Sequence, residues 1–384
     1  MKNLPRDVSD FNTMITGNYA YVDKTQLIYN LYATGGRYYF LSRPRRFGKS
    51  LLISTLKELF SGNKQLFSGL SIESSDYDWQ EYPVIHLDFS TIDHETALEF
   101  KINLMWALKN IAHSHGIDIA EAPSLGSKLS FLVRQLAQHK KVVILIDEYD
   151  KPLLDHLQDP RRAQAQQVVL KSFYDTIKGL SEHLHAVFIT GVSKFSKTSI
   201  FSGINNLIDI TMEPEAAMLL GYTKDEIDLY FNEYINDLAA DKDMSTEQVM
   251  QEMKLWYDGY QFSERASQKI YNPYSVLYYL KTKKRANYWF SSGTPSFLIS
   301  LIKNQYPVLE DIKDIELSAD SLGTFDIDNI PLIPLLFQTG YLTITGYDPI
   351  TEKYQLNYPN AEVSESFQKY LVVALTNCTY WACI

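Results

Sequence analysis

Cysteine is nearly absent: 384 residues hold two, Cys378 and Cys383, both close to the final residue. That excludes a disulfide framework, and with the present spread of histidines it excludes a Cys/His zinc site. No apolar run approaches the roughly 20 residues a membrane span needs, and Met1 to Asp10 lacks the basic-then-apolar plan of a secretory leader. The expectation is a cytoplasmic protein with reduced thiols and no membrane partner. Positive charge is also in deficit: the net charge of −10 gives no bulk attraction to nucleic acid. The cluster Lys281, Lys283, Lys284 and Arg285 reads first as a solvated helix end and second as a local nucleic-acid contact. Internal repeats and low-complexity tracts are missing. What is abundant is tyrosine and phenylalanine, 27 and 19 residues, within a 45% hydrophobic chain. This is enough for a substantial core and two domains.

The most informative stretch is Arg43-Pro44-Arg45-Arg46-Phe47-Gly48-Lys49-Ser50, a phosphate-binding loop with arginine where the usual pattern has its first glycine. Tyr38-Tyr39-Phe40-Leu41 before it suits a buried strand. Leu52, Thr55, Leu56 and Leu59 after it recur at helical spacing until Gly62. A loop between a strand and a helix N-terminus aims backbone N–H groups at one spot, where the helix dipole also favours an anion. Lys49 would reach the outer phosphates of a nucleotide, and the Ser50 hydroxyl would ligate Mg²⁺. The residues Arg45, Arg46, Phe47, Gly48, Lys49, Ser50 and Leu51 are the expected nucleotide-binding stretch.

Gly-Lys-Ser also arises by chance, so a second motif matters. Val142 to Ile146 is a run of five apolar residues, four of them β-branched, ending in Asp147-Glu148. Such a run suits a parallel strand buried on both faces, which delivers its polar residues at the carboxyl end, where open α/β sheets bind ligands. Asp147 is then the candidate metal carboxylate, and Glu148 the candidate for polarising a water against the γ-phosphate. His185 to Gly191 reads as a third strand, with Thr190 and Ser193 as candidate γ-phosphate sensors or, as readily, a Thr-Gly turn closing the strand.

Pro83 to Phe89 and Asn206 to Thr211 supply further strands. Helical patterns lie at Leu27 to Leu31, Leu98 to Ala112, Leu125 to Leu136 and around Val169 to Ile177. This alternation predicts an α/β fold, a P-loop NTPase core with a parallel sheet, over residues 1–220. From Glu213 to Gly221 the pattern changes. Helices are expected at Asp225 to Ile235, Gln248 to Trp256, Pro273 to Leu280 and Ile330 to Gln338, then strands at Gly340 to Thr345 and Lys353 to Leu356. This predicts a mainly helical, winged-helix-like region over 221–370, then a tail over 371–384. Asp237 to Asp243 reads as an acidic solvated loop.

Several segments resemble the prokaryotic AAA-ATPase-like family. They are Tyr21-Val22-Asp23-Lys24-Thr25, Phe40 to Ser50, Leu145 to Asp150, Gly191 to Ser196, Trp256-Tyr257-Asp258-Gly259-Tyr260, Tyr271-Asn272-Pro273 and Tyr358 to Val363. The likeness runs from Leu4 to about Phe367, so Arg43 in place of glycine looks like a family trait. The resemblance implies a P-loop core of the additional-strand, catalytic-glutamate type. It assigns Lys49 and Ser50 to phosphate and Mg²⁺, Asp147 to the metal and Glu148 to water activation; ATP as the nucleotide comes from the resemblance alone. Relatives often continue into a restriction-endonuclease-like domain, for which this chain is expected to have no room. The leading expectation is therefore a Mg²⁺-dependent ATPase acting as a nucleotide-driven switch on a protein partner or within a homo-oligomer; Arg161 and Arg162 read first as solvent-exposed charges and second as an arginine finger for a neighbouring subunit. A catalytically silent nucleotide-binding scaffold is the alternative, and a P-loop kinase ranks last because Glu148 favours water activation.

Overall fold

The computed structural model describes residues 1–195, 200–201, 204, 206–293, 298, 315–323, 326–327 and 330–376. Both cysteines, Ser196 and the tail beyond Thr376 lie outside them. A first helix, α1 (Phe11–Thr16), and α2 (Thr25–Ala33) precede β1 (Tyr38–Ser42) and α3 (Lys49–Phe60). Then follow β2 (Val84–Asp88), α4 (Ala97–Ser114), α5 (Leu125–Leu136), β3 (Val142–Asp147), α6 (Lys151–Leu154), α7 (Pro160–Lys178), β4 (Leu184–Gly191) and the short β5 (Ile208–Asp209).

These strands form one parallel five-stranded sheet in the order β2-β3-β4-β1-β5. The two motif strands are thus not neighbours: β4 lies between them, with Leu41 of β1 beside Thr190 and Ile146 of β3 beside Ile189. Alternate side chains of each strand enter opposite layers, as the pleat requires. Phe40, Ile144 and Ile146 pack with α4, α5 and α7, whereas Tyr39, Leu41, Val143 and Leu145 pack with α1, α2 and α3. The helices start where side chains can cap them. Thr96 and Glu99 form a capping box for α4, and Ser124 and Ser127 one for α5.

The second half contains α8 (Lys224–Lys242), α9 (Thr246–Tyr257), α10 (Pro273–Thr282) and α11 (Tyr288–Gly293). After them come β6 (Ile315–Ser318), α12 (Ala319–Gly323), α13 (Leu332–Gln338), β7 (Thr343–Asp348), β8 (Lys353–Asn357) and α14 (Ala361–Thr376). The expected β7–β8 hairpin is present, and β6 joins it to give an antiparallel sheet in the order β6-β8-β7.

One local expectation needs correction. Asp237 to Asp243 is no loop, because α8 runs through to Lys242 with a Thr223–Glu226 capping box, and only Asp243 leaves the helix, in the left-handed region. The acidic residues lie on an exposed helix face. The basic cluster is the solvated helix end expected first: it lies where α10 ends, with Lys281, Lys284 and Arg285 exposed. Lys283 bridges Asp237 and Asp241 at 2.9 and 3.1 Å, and the Arg285 guanidinium lies 4.5 Å over Trp256.

The hydrophobic core does not stop near residue 220. One continuous cluster runs from Phe40 and Phe47 through Tyr260, Phe262, Trp289 and Tyr341 to Phe367. Among the described residues no helix is long and apolar enough to cross a membrane.

Candidate functional site

At the carboxyl ends of β1 and β3 a cleft of about 490 Å³ opens. Arg45, Arg46, Phe47, Gly48, Lys49, Ser50, Leu51 and Glu148 all line it, so the two motifs, about 100 residues apart in sequence, face one space. Gly48 sits at the entry to α3 with φ 95°, and the helix begins at Lys49. Arg46 and Glu148 also have positive φ, 65° and 47°. Left-handed backbone at non-glycine residues is strained and tends to gather where function holds it in place. Here both residues border the same cleft.

Lys49 is buried, with Nζ 3.0 Å from the carbonyl oxygens of Arg43 and Pro44. Burial pulls its pKa below the usual lysine value, while Glu148, Asp147 and Asp150 together oppose that shift. Burial raises Glu148 above the ordinary glutamate value, and Lys49 counters it. A cation and its carboxylate neighbours therefore share one partly desolvated field.

Asp147, Thr190 and Ser193 do not line the cleft; they are buried behind it. Asp147 Oδ1 accepts from Thr190 Oγ1 at 2.5 Å and from the Glu148 backbone N–H at 2.9 Å. The Thr190 hydroxyl thus orients the candidate metal carboxylate. Ser193 serves a different acid: its N–H and its hydroxyl both donate to Asp150 Oδ2 at 2.6 Å, with Val192 N–H at 3.0 Å. Burial nonetheless keeps Asp150 above the usual aspartate value. Arg161 and Arg162 are exposed at the start of α7, as their first reading expected, with Arg162 paired to Glu95 at 2.7 Å.

Arg43 answers the question of the missing glycine. Its side chain is 1% exposed and its fork reaches backward into the fold, not toward the cleft. Nη1 donates to Ser42 O and Thr211 O at 2.9 and 2.7 Å, and Nη2 to Ala216 O at 2.9 Å. The guanidinium lies 4.3 Å over the Phe262 ring. Burial holds its pKa down at about 9, against the pull of Asp209. The arginine ties the loop to the chain beyond β5.

Sequence reasoning missed the rest of the cleft wall: Pro5 to Ser9, Tyr21, Val22, Lys24, Leu219 to Tyr222, Tyr274 and Leu277. A signal existed, since Tyr21 to Thr25 and Tyr271 to Pro273 stood out as motifs without a role. Lys24 fixes this wall by pairing with Glu226 at 2.6 Å and donating to Met218 O at 2.8 Å.

A family model described as "Predicted AAA-ATPase" matches residues 5–201, which span the whole parallel sheet apart from β5. The chain belongs to this AAA-ATPase-like family. It is also 36% identical over 380 residues to an uncharacterized protein encoded in the vnfD 5′ region of Azotobacter chroococcum mcd 1, a match covering 97% of this chain and 70% of that relative. Family membership suggests nucleotide binding.

Proposed function

We propose that the chain binds ATP with Mg²⁺ in the cleft beside Lys49 and hydrolyses it, and that the nucleotide state is passed to the C-terminal region. The observation that carries this reading is the meeting of Lys49, Ser50 and Glu148 in one cleft, with Asp147 held behind them by Thr190. In this reading Lys49 exchanges its two loop carbonyls for outer phosphate oxygens, and the N–H groups opening α3 surround the same phosphates.

The donor set fits magnesium: a serine hydroxyl at the head of α3 and a carboxylate whose Oδ1 is locked while, among the described residues, its Oδ2 takes no hydrogen bond. Ser50 and Asp147 would hold the ion, which would supply charge neutralisation between phosphate oxygens. Glu148, above the usual glutamate value yet close to Lys49, accepts the proton of a water and aims it at the terminal phosphate. Residues 1–220 act here as the nucleotide part and 221–370 as the part that responds.

The test is binding and turnover on the whole chain. Lys49→Ala removes the ammonium and weakens Mg²⁺-ATP binding by about 10- to 150-fold, the worth of a hydrogen bond to a charged group. Glu148→Gln keeps binding and lowers phosphate release by about 10²- to 10⁴-fold. Equal affinity for wild type and Lys49→Ala overturns nucleotide binding at this cleft. Binding without phosphate release in wild type leaves the silent scaffold in its place.

A further inference from the structure

Glu362 opens α14 with a fully buried side chain, and among the described residues no cation pairs with it. A buried carboxylate without a counter-ion is costly, so the hydrogen bonds it accepts define its purpose. Oε1 accepts from the Trp289 backbone N–H at 2.7 Å, and Oε2 from Ser275 Oγ at 2.8 Å. Both partners lie on elements that touch the phosphate loop. The Trp289 indole Nε1 donates to Arg45 O at 3.0 Å. Ser275 follows Tyr274 on α10, and the Arg46 guanidinium lies 4.8 Å over the Tyr274 ring. Phe47, between these and Gly48, packs edge-on against Tyr260 at 4.8 Å.

The carboxylate is itself held in a fixed frame. Asn360 Nδ2 donates to Asp258 O at 2.9 Å, and Asn360 Oδ1 accepts from Val363 N–H at 3.1 Å. Gly259, with φ 105°, lies so close to Pro359 that a β-carbon would stand 2.0 Å from its carbonyl oxygen. The three late sequence motifs, Trp256 to Tyr260, Tyr271 to Pro273 and Tyr358 to Val363, therefore converge on one acid that never reaches the cleft.

We propose that Glu362 is a positioning residue of the phosphate loop: through Trp289 and α10 it holds Arg45 and Arg46 in the geometry in which Gly48 and Lys49 meet the phosphates. Its functional part rests on the nucleotide reading above; the mechanical link does not. Burial raises its carboxyl to about 7, with the bonds from Ser275 and Trp289 opposing, so a neutral acceptor of the same shape fits the same frame.

Hydrogen–deuterium exchange on the whole chain separates the link from the chemistry. Glu362→Ala raises exchange in the 43–50 segment about tenfold, the loss of one buried hydrogen bond, while segment 142–147 stays at wild-type protection. Glu362→Gln restores protection, because its amide oxygen accepts from Trp289 N–H and the Ser275 hydroxyl turns to accept. Trp289→Phe removes the Nε1 donor to Arg45 O, keeps the backbone N–H that Glu362 accepts from, and loosens 43–50 more than 142–147; it serves if the alanine variant does not fold. With nucleotide, Glu362→Ala and Trp289→Phe raise the KM for ATP about tenfold and leave kcat within about twofold. Unchanged exchange in 43–50, or an equal rise in 142–147, overturns the proposal. A wild type that binds no nucleotide overturns the proposed function, while the exchange data still decide the link.

Discussion

Replacing Arg43 with glycine would give the loop the residue its general pattern has at this position, and on sequence grounds alone Arg43→Gly ought to be harmless or helpful. The structure implies the opposite. The substitution removes three charge-assisted hydrogen bonds, to Ser42 O, Thr211 O and Ala216 O, and a guanidinium stacked on Phe262. Hydrogen bonds to charged groups contribute about 1.5–3 kcal/mol each, and a desolvated cation–π contact about 2 kcal/mol. Against this stands the cost of keeping a charge in a fully buried position, visible in the pKa held down at about 9. Leaving the three buried carbonyls without donors costs about 1–3 kcal/mol each, which the relieved burial of the charge offsets in part, for a net loss of about 3–5 kcal/mol. At roughly 2–4 °C per kcal/mol for a domain of about 200 residues, thermal unfolding should fall by about 6–20 °C. Arg43→Lys, which keeps the charge but loses the planar fork, should fall in between. Differential scanning fluorimetry of the three proteins at equal concentration measures this. A glycine variant melting within a degree or two of wild type would refute the argument that Arg43 is a tie.

If Glu148 is the base, the acid limb of the rate profile must lie above the ordinary glutamate range. The sign follows from the shift: burial favours the protonated form, which cannot accept a proton from water, so activity falls as pH drops through the raised value. Phosphate release measured against pH on protein checked for folding should show that limb, and a flat profile down to pH 4.5 counts against the assignment. Gly259→Ala has no space, since the new carbon would stand 2.0 Å from Pro359 O at a left-handed φ. It should lower the melting temperature by several degrees and raise exchange around Asp258 and Asn360; a neutral effect would show that this contact yields.

The parallel sheet was legible because strands buried on both faces announce themselves as apolar runs, and β1, β3 and β4 do so with polar residues at their ends. Helices such as α5, which spans the expected Leu125 to Leu136, were legible because apolar periodicity and capping residues agree. Strand order was not written in any local pattern, and that β4 separates β1 from β3 comes from the structure. Asp150 was passed over beside the more conspicuous Asp147-Glu148, although Ser193 turned out to bond Asp150. The far wall of the cleft, Pro5 to Ser9 and Tyr274, comes from segments some 270 residues apart, and no spacing rule joins them. The acidic run at Asp237 misled because charge alone does not separate a solvated loop from the exposed face of a helix. That Lys283 bridges Asp237 and Asp241 shows only in the packing of α8 against α10.

The substituted loop carries a consequence for coupling. A glycine-rich phosphate loop is held by its own backbone and is largely indifferent to what lies behind it. Here every residue from Arg43 to Phe47 has a partner in later chain segments. Arg43 meets Thr211, Ala216 and Phe262, and the Pro44 ring is packed against Gly340. Arg45 meets Trp289, Arg46 meets Tyr274, and Phe47 meets Tyr260 and Phe262. Under the proposed function, an adjustment that nucleotide imposes on Gly48 and Lys49 would reach α10, α11 and the core beneath α14 through these five residues. By reciprocity, a displacement of those elements would then alter nucleotide affinity by the same free energy. Loss of the glycine and gain of a C-terminal grip on the loop are two aspects of one arrangement.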